Sequence, residues 1–175
     1  GSRRADVLHL LRDLPESYSM RAAHSLAYRV LATAAKAPDG NPDGPDMLEL
    51  RIGKLVAIGA TVGALRLVNA VNARAVSDNL AATAVRAYFR KGDFVKGCAL
   101  VRGFEGGYTE VFWQQALIVC QVSQDERDQA AFSLDLLREQ GITVSPAFAA
   151  AALSASEGSA IDIGLPEFAS PPDEM

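Results

Sequence analysis

The sequence predicts an all-α protein of about eight or nine helices, arranged as an α-solenoid of antiparallel helical hairpins. Three observations support this fold class. Hydrophobic residues make up 49% of the 175 residues but aromatic ones only 7%, and this alanine-rich composition favours helices over strands. An apolar pattern recurs with a period of ~33 residues through the middle of the chain, as in known repeat arrays. Residues that cap and stop helices recur with it.

The repeat is carried by four sets of apolar or small residues. These sets are Ile52, Val85 and Ile118; Val56, Phe89 and Val122; Ala64, Gly97 and Ala130; and Val68, Val101 and Leu134. Periods of about 20–50 residues are typical of stacked repeat arrays. The small residue of the third set lets a facing helix approach closely. A single hairpin would leave one apolar face exposed, so each hairpin needs a neighbour to cover that face.

Residues 3–36 predict an N-terminal capping hairpin. Its first helix, Asp6–Asp13, has leucines on one side and ends at Leu14-Pro15, because the residue before proline is pushed out of the α region. Its second helix, Met20–Lys36, follows the 3.6-residue period. Turn-forming residues fill 37–45 and predict a linker loop. Gly1-Ser2 is typical of a cloning scar at residues 1–2.

Three hairpin repeats are predicted over residues 46–140. Their helices are Met47–Ile58 with Val62–Val71, Asp78–Lys91 with Phe94–Phe104, and Glu110–Val122 with Glu126–Gln140. Ser77, Asp93, Thr109 and Asp125 are the predicted N-caps, because their side-chain oxygens can accept from the first turn of a helix. Glycines that follow the helices, such as Gly92, are the predicted stops.

The C-terminal part of the chain predicts one more helix and a tail. Ser145 followed by Pro146 is typical of a helix start, and Phe148–Ser154 is a short alanine-rich helix within a capping segment, 141–155. From 156 to 175 the sequence is acidic and contains proline, which predicts an extended or partly disordered tail. Its apolar residues could also dock on this chain or on a partner.

The charge is unevenly spread, although the net charge is only −4. Residues 1–123 carry 15 Lys and Arg against 11 Asp and Glu, whereas residues 124–175 carry 2 against 10. An acidic C-terminal segment is not the profile of a nucleic-acid-binding protein. No run of residues approaches the ~18 apolar positions that a membrane-spanning helix requires.

Cys98 and Cys120 lie on consecutive predicted helices, so a disulfide between them is one expectation. Counted from the intervening turn, the two positions differ in height by about 9 Å at ~1.5 Å per residue, which favours the alternative of two buried free thiols. A metal site is not expected, because these thiols and the only histidines, His9 and His24, are far apart in sequence.

No catalytic residue is predicted and no cofactor is expected. The chain lacks G-x-S-x-G, H-E-x-x-H, a phosphate-binding loop and a dinucleotide fingerprint. A cluster of basic residues, opposed only by Asp93, predicts a binding site for a protein or peptide partner of acidic character. The candidate partner-binding residues are Arg86, Arg90 and Lys96; the alternative is that this cluster is an ordinary solvated face, or that it holds the acidic tail.

The segment KGDFVKG at 91–97 is similar to the inter-helix turn of tetratricopeptide-like repeats, and residues 46–140 as a whole resemble that group. The resemblance implies a right-handed solenoid. FWQQALIVCQ, LDLLREQG and the stretch LLRDLPESYSMRAAHSLAYRVL also resemble uncharacterised helical-repeat proteins of alphaproteobacteria, some of which are exported. That resemblance implies a bacterial protein and favours the periplasm over the cytoplasm, but it carries over no functional residues.

We therefore expect a non-catalytic protein–protein interaction scaffold that binds a peptide or protein segment on its helical surface. Two alternatives remain. One is a helical accessory domain of a bacterial cell-envelope enzyme or assembly. The other is a small-molecule-binding helical domain with an apolar pocket near Trp113. The sequence sets no oligomeric state.

Overall fold

A computed structural model describes residues 3–33, 38, 39, 47–70 and 77–156 of the chain. Across these residues there are nine helices and no β-strand, which confirms the all-α expectation. The helices are α1 Arg4–Arg12, α2 Arg21–Ala32, α3 Met47–Ala57, α4 Thr61–Ala70, α5 Asp78–Arg90, α6 Phe94–Arg102, α7 Val111–Ser123, α8 Arg127–Glu139 and α9 Pro146–Ser156.

The helices lie at the positions predicted from the sequence, with small differences at their ends. α2 ends at Ala32 and not at Lys36, and residues 34–37 lie outside the described part. The predicted linker at 37–45 is described only at Pro38 and Asp39. The predicted tail lies outside the described residues from residue 157 onward.

Three short turns share one backbone conformation and recur with the sequence period. They occupy residues 58–60, 91–93 and 124–126. The middle residue has a φ of 79° at Gly59, 77° at Gly92 and 61° at Asp125. Glycine adopts this left-handed conformation at little cost and commonly follows a helix C-terminus. In two of the turns the next N–H donates to a carbonyl oxygen five residues back, as in a Schellman motif. These bonds are Ala60 to Leu55 and Glu126 to Gln121, each at 2.8 Å.

The predicted helix caps divide into those that form and those that do not. Ser77 accepts a hydrogen bond from the Leu80 amide at 3.1 Å, and Asp93 accepts one from the Lys96 amide at 3.3 Å. Thr109 and Asp125 do not cap α7 and α8, which begin one residue later with no side-chain cap on Glu110 or Glu126. Asp125 cannot serve as an N-cap because its left-handed backbone closes the preceding turn.

The chain divides into two compact units, residues 1–91 (unit 1) and residues 92–175 (unit 2). In unit 1, α3 is central and packs against α1, α2, α4 and α5, while α4 also packs against α2 and α5. Ile52 and Leu55 of α3 are completely buried. α1 and α2 therefore each cover one part of α3. The core of this unit is mostly aliphatic, with Leu31 and Leu80 among its least exposed members, and it includes Tyr88.

In unit 2, α7 is central and packs against α6, α8 and α9, and α8 also packs against α9. α7 is buried on most of its circumference, so its side chains form the middle of the core. Trp113 and Ile118 of α7 are each 1% exposed. Val101 of α6 and Leu134 of α8, the two helices that pack against α7, are completely buried. Ser145 starts α9 by accepting a hydrogen bond from the Phe148 amide at 3.1 Å, as predicted.

Candidate functional site

Several basic side chains of unit 1 bind carbonyl oxygens at the C-terminal ends of helices. Arg51 of α3 donates to the carbonyl oxygens of Leu31 and Thr33 at 2.7 and 2.6 Å, at the end of α2. Burial lowers the pKa of Arg51. Lys54 donates to the Leu14 carbonyl oxygen at 2.8 Å, beyond the end of α1. A cation at a helix C-terminus is favoured by the helix dipole and satisfies carbonyl groups that have no partner within the helix.

The end of α3 is held in the same way. The Nη1 of Arg90 donates to the Val56 carbonyl oxygen at 2.8 Å. The Nε2 of His24, on α2, donates to the Ile58 carbonyl oxygen at 3.0 Å. His24 therefore binds backbone, and the ring of Tyr18 lies edge-on to it at a centroid distance of 6.4 Å.

Of the three residues predicted to bind a partner, two share a helix. Arg86 and Arg90 lie one turn apart on α5, where Arg86 is half-buried and Arg90 is exposed. Lys96 lies on α6 in unit 2, and its ammonium is 3.6 Å from the Asp93 carboxylate. Their role in binding stays a prediction. What the structure adds is that Arg90 already makes a contact across to α3.

Contacts at both ends show that α3 and α5 lie side by side and run in the same direction. At their N-terminal ends, the Ser77 hydroxyl donates to the Glu49 carboxylate at 2.7 Å. At their C-terminal ends, Arg90 reaches Val56. The N-terminal ends of α3 and α5 are in contact, and so are their C-terminal ends, so the two helices are parallel neighbours. Arg86 lies one helical turn before Arg90 on this helix pair.

Gly53 is the residue that sequence analysis missed. It lies inside α3, and a Cβ built on it would meet no atom within 4 Å. By contrast, a Cβ on Gly63 of α4 would lie 2.7 Å from Cε2 of Tyr28, so packing explains that glycine. A glycine within a helix costs about 0.5–1 kcal/mol relative to alanine. The signal in the sequence was the glycine itself, at the position one repeat before Arg86.

We use the name α3–α5 surface for five residues of these two helices that are not fully buried. They are Gly53, Ala57, Thr83, Arg86 and Arg90. Thr83, Arg86 and Arg90 follow the helical repeat along one edge of α5. Chemically, this surface offers two guanidinium groups next to two residues with little or no side chain. It contains no nucleophile paired with a base.

Cys98 and Cys120 are joined in a disulfide, with their Cα atoms 5.4 Å apart. The height difference estimated from the sequence favoured two free thiols, and that expectation is wrong. That estimate assumed that residues equally far from a tight turn lie at the same height on the two helices. In the structure, α6 ends at Arg102 and α7 begins only at Val111. The longer connection offsets the helices and brings the cysteines to one height. Both are buried, at 1% and 0% exposure.

Three aromatic side chains of unit 2 pack together around Trp113. The rings of Phe104 and Trp113 are stacked with centroids 3.8 Å apart, and Phe112 meets Trp113 edge-on at 5.1 Å. The buried Nε1 of Trp113 has no hydrogen-bond acceptor in the part of the chain that the structure describes. Trp113 occupies the repeat position of Leu80, which is also buried. This agrees with a packing role.

Among the described residues, no cluster of three or more His, Cys, Asp or Glu side chains is arranged to hold a metal ion. None of the helices described here is both long and apolar enough to cross a membrane. Comparison with known proteins finds no significant match to a family model, to a curated protein or to a solved structure.

Proposed function

We propose that this protein is a non-catalytic interaction scaffold, and that the α3–α5 surface binds an acidic peptide segment of a partner protein. The observation that carries the proposal is the open position of Gly53 beside the arginines of α5. A glycine that weakens its helix and serves no internal contact is explained if another backbone must approach it closely. Arg86 and Arg90 supply the positive charge beside that approach.

The repeat geometry supports a solenoid arrangement for this scaffold. Ile52, Val85 and Ile118 share a sequence register and are 0%, 0% and 1% exposed. The turns centred on Gly59, Gly92 and Asp125 repeat with the same period. Within unit 1, α3 packs against the helices one and two places away on each side, which is how stacked hairpins bury their faces. A tetratricopeptide-like array would present α3 and α5 together on one extended surface.

The chemistry of the α3–α5 surface favours carboxylates. A guanidinium group offers a planar fork of donors that binds a carboxylate through two parallel hydrogen bonds. Arg90 uses Nη1 on Val56, which holds the side chain over the end of α3. The partner chain would lie over Gly53 and Ala57 with its acidic side chains directed to α5. Lys96 remains a separate candidate on unit 2.

An array of immobilised synthetic peptides rich in Asp and Glu tests the proposal, each paired with its Asn and Gln counterpart. We expect binding to the acidic members only, and its loss in Arg86→Glu. Arg66→Glu is the matched control, because Arg66 is exposed on α4. Equal binding to acidic and amide peptides, or unchanged binding by Arg86→Glu, would refute the assignment.

A second variant separates loss of binding from loss of folding. Gly53→Leu places a side chain over the α3–α5 surface while improving the helix propensity of α3. We expect this variant to melt at a higher temperature than the parent and still to bind the acidic peptides less well. Binding that is unaffected by the new side chain would show that the peptide lies elsewhere.

The disulfide supports a location in an oxidising compartment. Such bonds persist in secreted and periplasmic proteins and are rare in the cytosol. This favours the periplasmic location that the resemblance implies. Alkylation of the protein in its native cells, followed by mass spectrometry, tests it: unmodified, bonded Cys98 and Cys120 are expected. Alkylated thiols at both positions would place the protein in a reducing compartment.

A further inference from the structure

The outer face of α2 carries exposed apolar side chains bordered by positive charge. Leu26 and Val30 lie one turn apart and are 61% and 55% exposed. Arg29, three residues after Leu26 and directly before Val30, is exposed beside them and forms no ion pair with another described residue. We call these three residues the α2 face. Burying the two apolar side chains would be favourable because it removes apolar surface from water.

The outer face of α8 has the same form with the opposite charge. Phe132 and Leu136 lie one turn apart and are 70% and 43% exposed. Asp128 precedes Phe132 by one turn, and Glu139 follows Leu136 by three residues. Both acids are exposed, and neither is paired with another described residue. These four residues form the α8 face.

The two units differ in charge as their two faces do. Residues 1–91 carry 13 Lys and Arg against 8 Asp and Glu, a formal charge of +5, whereas residues 92–175 carry 4 against 13, a formal charge of −9. An apolar pair flanked by an arginine on unit 1 thus has its counterpart in an apolar pair flanked by acids on unit 2. Neither face complements itself, because like charges would meet across a two-fold axis.

We propose that the α2 face of one copy of this chain binds the α8 face of a second copy, so that copies associate head to tail. An open assembly keeps one unused α2 face at one end and one unused α8 face at the other. Such a heterologous contact gives rings or open chains of subunits instead of closed dimers. Two helices in contact make a small interface, and contacts of this size are typically weak and reversible. The association should weaken as salt rises, because the flanking charges are exposed.

Sedimentation equilibrium over a range of protein concentrations tests the contact with two single-face variants. Leu26→Glu places a negative charge on the α2 face, and Phe132→Lys places a positive charge on the α8 face. The parent protein should show an average mass that rises with concentration. Each variant alone should remain a monomer. An equimolar mixture of the two should form a one-to-one dimer and nothing larger, because only one intact pair of faces remains.

A control variant and the outcomes that contradict the proposal complete this experiment. Val62→Glu changes an exposed valine of α4, 56% exposed and outside both faces, and should associate as the parent does. A monomeric parent at every concentration would overturn the proposal, as would a mixture that stays monomeric. Self-association of Phe132→Lys alone would replace it with a symmetric contact through α2.

Reversal of charge supplies a second, independent readout. Arg29→Glu should abolish association, and so should Asp128→Arg with Glu139→Arg. The protein that carries all three changes should associate again, because both faces are reversed and remain complementary. Failure of this triple variant to associate while it still folds, as judged by its circular dichroism, would count against the charge pairing.

Discussion

Asp125 occupies the same left-handed turn position as Gly92 of the preceding repeat, with φ of 61° against 77°. A residue with a side chain is strained in this conformation by about 1–2 kcal/mol, and Asp less than most. Asp125→Gly should therefore raise the free energy of unfolding, by about 0.5 kcal/mol after loss of the exposed ion pair with Arg127. Urea unfolding followed by circular dichroism measures it.

The matched control is the reverse change in the first turn. A Cβ at Gly59 would meet no atom within 4 Å, so Gly59→Ala adds no clash and tests only the backbone conformation. It should lower the free energy of unfolding by about 1 kcal/mol. Equal effects of the same sign in both variants would show that the two turns are not equivalent.

Gly53→Ala should stabilise the protein, by about 0.5–1 kcal/mol, because alanine loses less backbone entropy in a helix and meets no neighbour at this site. Gly63→Ala is the contrast. Its Cβ would approach the Tyr28 ring to 2.7 Å, so repacking should cost about 1–3 kcal/mol. Thermal unfolding of the two variants should move in opposite directions. A destabilised Gly53→Ala would mean that α3 is packed more closely on that side.

What could be predicted from the sequence was local. Ser77, Asp93 and Ser145 were identified as caps because a cap bonds to a backbone amide within three residues, and spacing alone reveals it. Thr109 failed because α7 begins at Val111, and helix ends are the least certain part of such a prediction. Asp125 failed because a left-handed turn position and an N-cap favour the same residue type.

What could not be predicted depends on how helices are offset and which ends meet. The Cys98–Cys120 bond required the axial offset of α6 against α7, which the connection at 103–110 sets. Arg90 was identified as a charge available to a partner, but its bond to Val56 joins residues 34 apart. No local pattern marks a carbonyl acceptor at that distance. The sequence therefore indicated Arg86, Arg90 and Lys96 as candidates, whereas the open position of Gly53 is visible only in the structure.

Reduction of the Cys98–Cys120 bond should destabilise the protein. The bond closes a loop over a separation of 22 residues, and such crosslinks typically contribute about 2–4 kcal/mol. Guanidinium unfolding with and without reductant measures the loss. The repeat offers a replacement, because Leu65 and Ala87 occupy the corresponding buried positions one period earlier.

The double variant Cys98→Leu with Cys120→Ala should therefore fold, and its unfolding should be the same with and without reductant. Its free energy of unfolding should exceed that of the double variant Cys98→Ser with Cys120→Ser. The serine pair buries two polar hydroxyl groups in an apolar core, which is less favourable than burying apolar side chains. If the leucine and alanine pair were the less stable of the two, the positions in successive repeats would not be equivalent.

Arg51 should stabilise unit 1 through the end of α2. Its two donors bind the carbonyl oxygens of Leu31 and Thr33 at the C-terminal end of α2. Arg51→Met keeps most of the apolar stem and removes both bonds, so the free energy of unfolding should fall by about 1–3 kcal/mol. Arg66→Met, on the exposed side of α4, should change it by less than about 0.5 kcal/mol. Hydrogen exchange should then quicken at the last turn of α2 in Arg51→Met only; protection that is unchanged there would show that Arg51 acts through packing alone.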